Sequence, residues 1–129
     1  MTRILTIIAI LFVTPAWAET VLYCQDELAT GIIKEDGTWR PGIFSPARYT
    51  VKFDEKNMTL LMDEEKFSCS ARWLTNPDII RCEEEMAADI HFVFNKKTLR
   101  YSMYRMFSSA WVIDGNDTSK TAHGTCQKF

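Results

Sequence analysis

The fold this sequence predicts is all-β: an antiparallel meander of about eight or nine strands, curled into a small barrel or sandwich and carrying two disulfides. Three observations predict it. Turn signals break the chain about every eight to twelve residues, the spacing of sandwiches and barrels. The segments beside those turns alternate apolar and polar side chains, the period of a half-buried strand. All four cysteines follow an export leader, so the compartment oxidises them in pairs.

The leader comes first. Arg3 supplies a basic start, Ile4 to Val13 an apolar run, Pro15 a break, and Ala16-Trp17-Ala18 a small-x-small cleavage site, so Met1 to Ala18 reads as a secretory signal peptide. Cleavage leaves Glu19 first. A membrane anchor needs about twenty apolar residues, and this run stops at Thr14-Pro15. A lipid anchor needs a cysteine directly after the small-residue site, whereas Cys24 follows Leu22-Tyr23. Residues 19–129 are expected to be one all-β domain, periplasmic or secreted, with no stable membrane anchor. No internal repeat, linker or low-complexity tract is apparent.

The strands can be tested in register. Asp36-Gly37, between Ile32-Ile33 and Trp39, is a tight-hairpin signal because such a turn needs positive φ. Around Asp54 to Asn57, pairing Phe53 with Met58 also pairs Val51 with Leu60 and Tyr49 with Met62, one apolar face. Lys52 with Thr59, Thr50 with Leu61 and Arg48 with Asp63 make the other. Around Asn76-Pro77, one register opposes Arg72 to Arg81, a destabilising like-charge pair. The other opposes Cys69 to Cys82, Ser70 to Arg81 and Ala71 to Ile80, so a Cys69 to Cys82 disulfide is expected and Cys24 bonds Cys126 by elimination. Around Asn95 to Thr98, pairing Phe94 with Leu99 brings Phe92 to Tyr101 and Ile90 to Met103. Val93 with Arg100, His91 with Ser102 and Asp89 with Tyr104 lie opposite. Leu99, Met103, Met106, Phe107 and Ala110 also fit helical spacing, but the hairpin explains both of its segments at once. Asp114 to Lys120, the longest polar stretch, reads as a loop.

Composition narrows the function. The chain carries 15 Lys and Arg against 17 Asp and Glu, net −2, and loss of Arg3 with the leader makes it one unit more negative. It has no basic stripe of the kind nucleic acid requires.

The pattern Tyr23-Cys24, Ala29-Thr30-Gly31, Trp39, Phe44, then Phe92 through Arg100, and finally Gly124-Thr125-Cys126 resembles a group of small secreted proteobacterial proteins. The resemblance implies a Gram-negative periplasmic address and brings no activity with it. More weakly, the chain is similar to the periplasmic inhibitors of c-type lysozyme, small disulfide-bonded β-barrels that also begin near a Tyr and a Cys. Their Ser-Gly-rich inhibitory loop ending in Tyr does not occur here, which removes the specific reason to assign inhibition.

Chemistry is sparse. His91 and His123 have no ligand spacing with each other, and oxidation occupies the thiols, so no metal or other cofactor is expected. Asp114-Gly115-Asn116-Asp117 lacks the alternating ligands and distal Glu of a calcium loop. No serine sits on a sharp Gly-x-Ser-x-Gly turn, and Glu83-Glu84-Glu85, a solvated edge on this reading, sends neighbouring side chains to opposite faces. The expectation is a protein that is not an enzyme.

Two binding functions remain. One is an envelope-protein partner, with inhibition as one outcome, docked on an outer sheet face or strand edge. The other is a calycin-like barrel holding a small apolar ligand, although small barrels generally fill their interiors with their own side chains. If Ile90, Phe92, Phe94, Leu99, Tyr101 and Met103 face inward, then His91, Arg100, Ser102, Tyr104 and Met106 face outward. Tyr and Arg are residues that interfaces favour, so these five form the candidate partner-binding patch. Nothing in the sequence sets the oligomeric state.

Overall fold

The structure is a computed structural model that describes residues 19–71, 75–86, 90–106 and 118–129. The leader, Arg72, Asp89, Phe107 and Ala110 of the segment weighed as helix, and Asp114 to Asp117 lie outside the described residues.

Nine strands follow in chain order: β1 (Thr20–Glu35), β2 (Thr38–Ile43), β3 (Arg48–Asp54), β4 (Thr59–Met62), β5 (Glu65–Ser70), β6 (Ile79–Glu84), β7 (Ile90–Asn95), β8 (Arg100–Met106) and β9 (Thr118–Lys128). Each pairs antiparallel with the next in the order β2-β1-β3-β4-β5-β6-β7-β8-β9, and β1 also pairs with β9. That last pairing closes an eight-stranded barrel and leaves β2 outside it. Among the described residues there is no helix. Thr118, Ser119 and Lys120, expected in a loop, begin β9 because they pair with the long β1.

β1 accomplishes the closure because it is 16 residues long and serves three neighbours. Along one edge it pairs with β9 from Leu22 to Ile33. Along the other it pairs first with β3, through Thr20 to Gln25, and then with β2, through Thr30 to Glu35. Residues 44–47 cross the gap between these two partners, with the Asp26 amide donating to the Ala47 carbonyl and the Phe44 amide to that of Ala29. A bulge between Asp26 and Leu28 bends β1 at that point. Beyond it the β1–β2 hairpin continues as an arm whose turn, Asp36-Gly37, has φ of 48° and 75° as expected for a tight two-residue turn.

The interior is filled by the chain itself. Val51, Leu60, Met62, Phe67, Phe92 and Met103 are fully buried, and the ring pairs Phe53–Phe94 and Phe92–Tyr101 both have centroids 5.1 Å apart. The disulfides are Cys24–Cys126 and Cys69–Cys82, as register and elimination required, and Cys69 pairs with Cys82 in the sheet. In the chain-entropy account the first, spanning 102 residues, stabilises by about 4 to 5 kcal/mol and the second, spanning 13, by about 3.

Two registers differ from expectation by two residues. Val51 meets Met62 and Phe53 meets Leu60, not Leu60 and Met58. Phe92 meets Met103 and Phe94 meets Tyr101, not Tyr101 and Leu99. The cause is the same in both turns: Met58 and Leu99 are the last loop residue, at φ of 51° and 59°, rather than the first strand residue. Asp54 caps its turn by accepting from the Asn57 amide and side chain, and Asn95 by accepting from the Lys97 and Thr98 amides. A shift of two keeps every side chain on its expected face.

These matching turns expose an internal correspondence that the sequence reading missed. Phe53-Asp54 through Met58 and Leu60 match Phe94-Asn95 through Leu99 and Tyr101. The Met58 carbonyl accepts from the Cys69 amide, and the Leu99 carbonyl from the Cys126 amide. Across the sheet, Leu60, Phe67 and Glu84 form one row and Tyr101, Gly124 and Asp26 another, and each acid lies two residues after a disulfide cysteine. Strands β3 to β6 thus repeat as β7, β8, β9 and the first half of β1. Glu84, expected on a solvated edge, accordingly points inward and is buried, while Glu83 and Glu85 are exposed.

Candidate functional site

The outer face of β7, β8, β9 and the arm collects the candidate residues. Cross-strand pairing runs His91, Tyr104, Thr121, Thr30, Ile43 in one row and Val93, Ser102, His123, Leu28 in the next. Paired residues share a face, so the expected outward set does converge. Arg100 and Tyr104 are exposed, Ser102 and His91 half-buried, and Tyr101 and Met103 buried, which confirms the assignment of faces. Met106 lies in β8 opposite Ser119, with its side chain outside the described residues.

The same face is wider than the expected patch. Leu28, Ile32, Trp39 and Ile43 lie on it at 55%, 50%, 48% and 87% exposure, beside Tyr104 at 37%. Alternation along β1 places Leu28, Thr30 and Ile32 together once the bulge is passed, and pairing brings Ile43 opposite Thr30 and Pro41 opposite Ile32. Sequence reasoning missed Leu28 and Ile32 because a bulge inverts the parity that Cys24 sets, and it missed Trp39 and Ile43 because their face follows from pairing with that inverted stretch of β1. His123 it weighed only as a ligand, although it stands three positions before the inward Cys126, an odd offset that places it outward.

The polar groups on this face are mainly basic or neutral. Arg81 binds Glu83 at 2.8 Å, Lys34 lies 5.3 Å over the Trp39 ring, and Arg100 makes no ion pair among the described residues. His91 Nδ1 is 3.7 Å from Glu83 and has no hydrogen-bond partner among the described residues. A shallow cleft of about 450 Å³ between Val93, Asn95, Arg100 and His123 contains the 2.8 Å hydrogen bond between Ser102 Oγ and His123 Nδ1. That pair has two members of a nucleophilic arrangement. No carboxylate contacts His123 among the described residues to orient it.

Beside the bulge, at the base of the arm, lies a buried carboxylate. Asp26 is 2% exposed. Its Oδ1 accepts from the Tyr101 hydroxyl at 2.6 Å, and its Oδ2 accepts from the Ala47 amide at 3.0 Å and the Tyr49 hydroxyl at 3.4 Å, with Lys120 Nζ at 3.7 Å. Donors from β3, β8, β9 and the crossing segment therefore meet on one residue beside the bulge. Burial and the neighbouring Asp26 charge push the Tyr49 hydroxyl up to about 12. Burial and the hydrogen bond to Asp26 push Tyr101 up further. Gly124 makes room, because a Cβ there would sit 2.1 Å from the Gln25 carbonyl oxygen and 2.7 Å from the Tyr101 hydroxyl. Comparison of the chain with protein-family models, curated proteins and solved structures finds no match.

Proposed function

We propose that this chain is a periplasmic, non-enzymatic binding protein that docks an envelope protein on the outer face of β8, β9 and the β1–β2 arm, in the manner of an inhibitor. The observation that carries the reading is that five of the large exposed apolar side chains, Leu28, Ile32, Trp39, Ile43 and Tyr104, share this one face. Exposed apolar side chains gathered on one face, with polar residues among and around them, mark interaction sites. Arg100 and Lys34 edge it on a chain that is net negative, so the partner presents an apolar centre with carboxylates at its border. The leader and the two disulfides support the compartment. The filled interior favours this reading over a barrel that holds an apolar ligand.

Face rather than edge is favoured by Pro41. Glu35 and Thr38 close the two-residue turn as a hydrogen-bonded pair, so the amides of Thr38, Arg40 and Gly42 face β1 and positions 39, 41 and 43 face the free edge. Proline at 41 leaves that edge without its central donor.

The test is photocrosslinking from position 104 in the periplasm, followed by binding measurements with the purified crosslinked protein. Tyr104→Ala and Leu28→Ala are expected to weaken binding about thirtyfold, corresponding to about 2 kcal/mol at a hot spot, with the melting temperature unchanged. Arg100→Ala is expected to slow association and reduce its salt dependence. Wild-type affinity in the Tyr104→Ala, Leu28→Ala double variant would discard the site.

A further inference from the structure

A second cleft, of about 860 Å³, opens on a different part of the barrel wall, where β9, the first half of β1 and β3 turn their outer side chains to solvent. Pairing sets its floor as two adjacent rows of three: Gln127, Tyr23, Thr50 and Thr125, Gln25, Arg48. The β4–β5 turn forms one wall, held by the Asp63 amide donating to the Thr50 carbonyl at 3.1 Å and the Thr50 amide to Asp63 Oδ1 at 3.5 Å. Pro46 and Glu27 stand on the side where the chain crosses β1.

Three properties of this floor restrict its ligand. Tyr23 is 48% exposed and meets Phe129 edge-on, centroids 5.7 Å apart, so an aromatic surface is presented to solvent. The side chains of Gln25, Gln127 and Arg48 have no hydrogen-bond or ion-pair partner among the described residues. All three are planar groups that present paired hydrogen-bonding atoms in parallel. Arg48 is outnumbered locally by Asp63 and Glu27, so no positive field selects a polyanion. A protein partner calls for a desolvated apolar centre, and here the centre is amide and hydroxyl.

We propose that this cleft binds an oligosaccharide. The C–H face of one pyranose stacks on Tyr23, and vicinal hydroxyls, which are adjacent donor-acceptor pairs, bridge to the paired atoms of Gln25, Gln127 and Arg48. Clefts of this size commonly hold small ligands. The site is separate from the protein-docking face, so either assignment can fail alone.

The experiment is a titration of the oxidised mature protein, followed by amide proton–nitrogen correlation spectra, with tri-N-acetylchitotriose and with maltotriose, each to about 10 mM. The expected result is saturable shifts at Tyr23, Gln25, Arg48, Thr125 and Gln127 with at least one of the two sugars. Tyr23→Ala and Gln25→Ala should each weaken that binding about tenfold while leaving the melting temperature unchanged. Because both side chains point outward, two variants guard against one failing to fold. Absence of shifts with both sugars overturns the proposal. So do shifts confined to other surfaces, or wild-type binding by whichever variants fold.

Discussion

Asp26 shows how one residue can hold several elements at once. Its carboxylate takes donors from β3, β8 and the crossing segment, and the closest of these is the Tyr101 hydroxyl at 2.6 Å. Removing that donor leaves buried lone pairs unsatisfied, so Tyr101→Phe should destabilise by about 1 to 3 kcal/mol. The same contacts set an alkaline limit. Tyr49 is held protonated up to about 12 in the fold against 10.0 when free, so between those values the unfolded chain binds fewer protons than the folded one. Stability therefore falls as pH rises through that window and is fully present below it. A series of thermal melts should be level up to about pH 10 and then decline, with a shallower decline in Tyr49→Phe. Parallel declines in the two proteins would show that Tyr49 is not coupled to folding. Tyr101 was legible as a core residue because it sits among alternating apolar positions. Its hydrogen-bond acceptor was not, since an aspartate at an inward position counts against the strand pattern, and only its place two residues after the inward Cys24 marks it.

At the scale of elements, the sequence was better at faces than at partners. Alternation alone assigned Val51, Phe53, Phe92, Phe94 and Tyr101 to the interior correctly, because the period of a strand is fixed by backbone geometry. Pairing depends on which residue closes the turn. Met58 and Leu99 are bulky residues at positive φ, a conformation that local preference opposes, so nothing in their identity announced it. The Cys69 to Cys82 hairpin was readable because a like-charge pair eliminated its competitor. The arm gives the prediction that belongs here. Pro41→Thr restores a donor to the free edge of β2 without disturbing its bonds to β1, so the variant should self-associate through that edge. Sedimentation velocity should show a concentration-dependent dimer for Pro41→Thr and not for the wild type; monomers in both would mean that something other than proline protects the edge.

The whole molecule is two similar halves joined into a ring of strands. The repetition escaped the sequence because matched positions keep a role while changing size: Leu60 and Phe67 fill the space that Tyr101 and Gly124 fill in the other half. What survives is the turn chemistry and a cysteine followed two residues later by an acid. Closure brings Phe129 beside the start of β1, for its amide donates to the Val21 carbonyl at 3.2 Å. The gap between Cys126 and Cys24 is therefore the counterpart of the connection between Cys69 and Cys82, which the chain happens to cross. A circular permutant that joins Phe129 to Glu19 through a short Gly-Ser linker and opens between Ala71 and Thr75 should fold, form both disulfides and show the same β-type circular dichroism. An unfolded or scrambled product would mean that the two seams are not equivalent. If the permutant folds, the barrel has no intrinsic beginning, and the order in which its strands leave the ribosome is one of two orders that its architecture accepts.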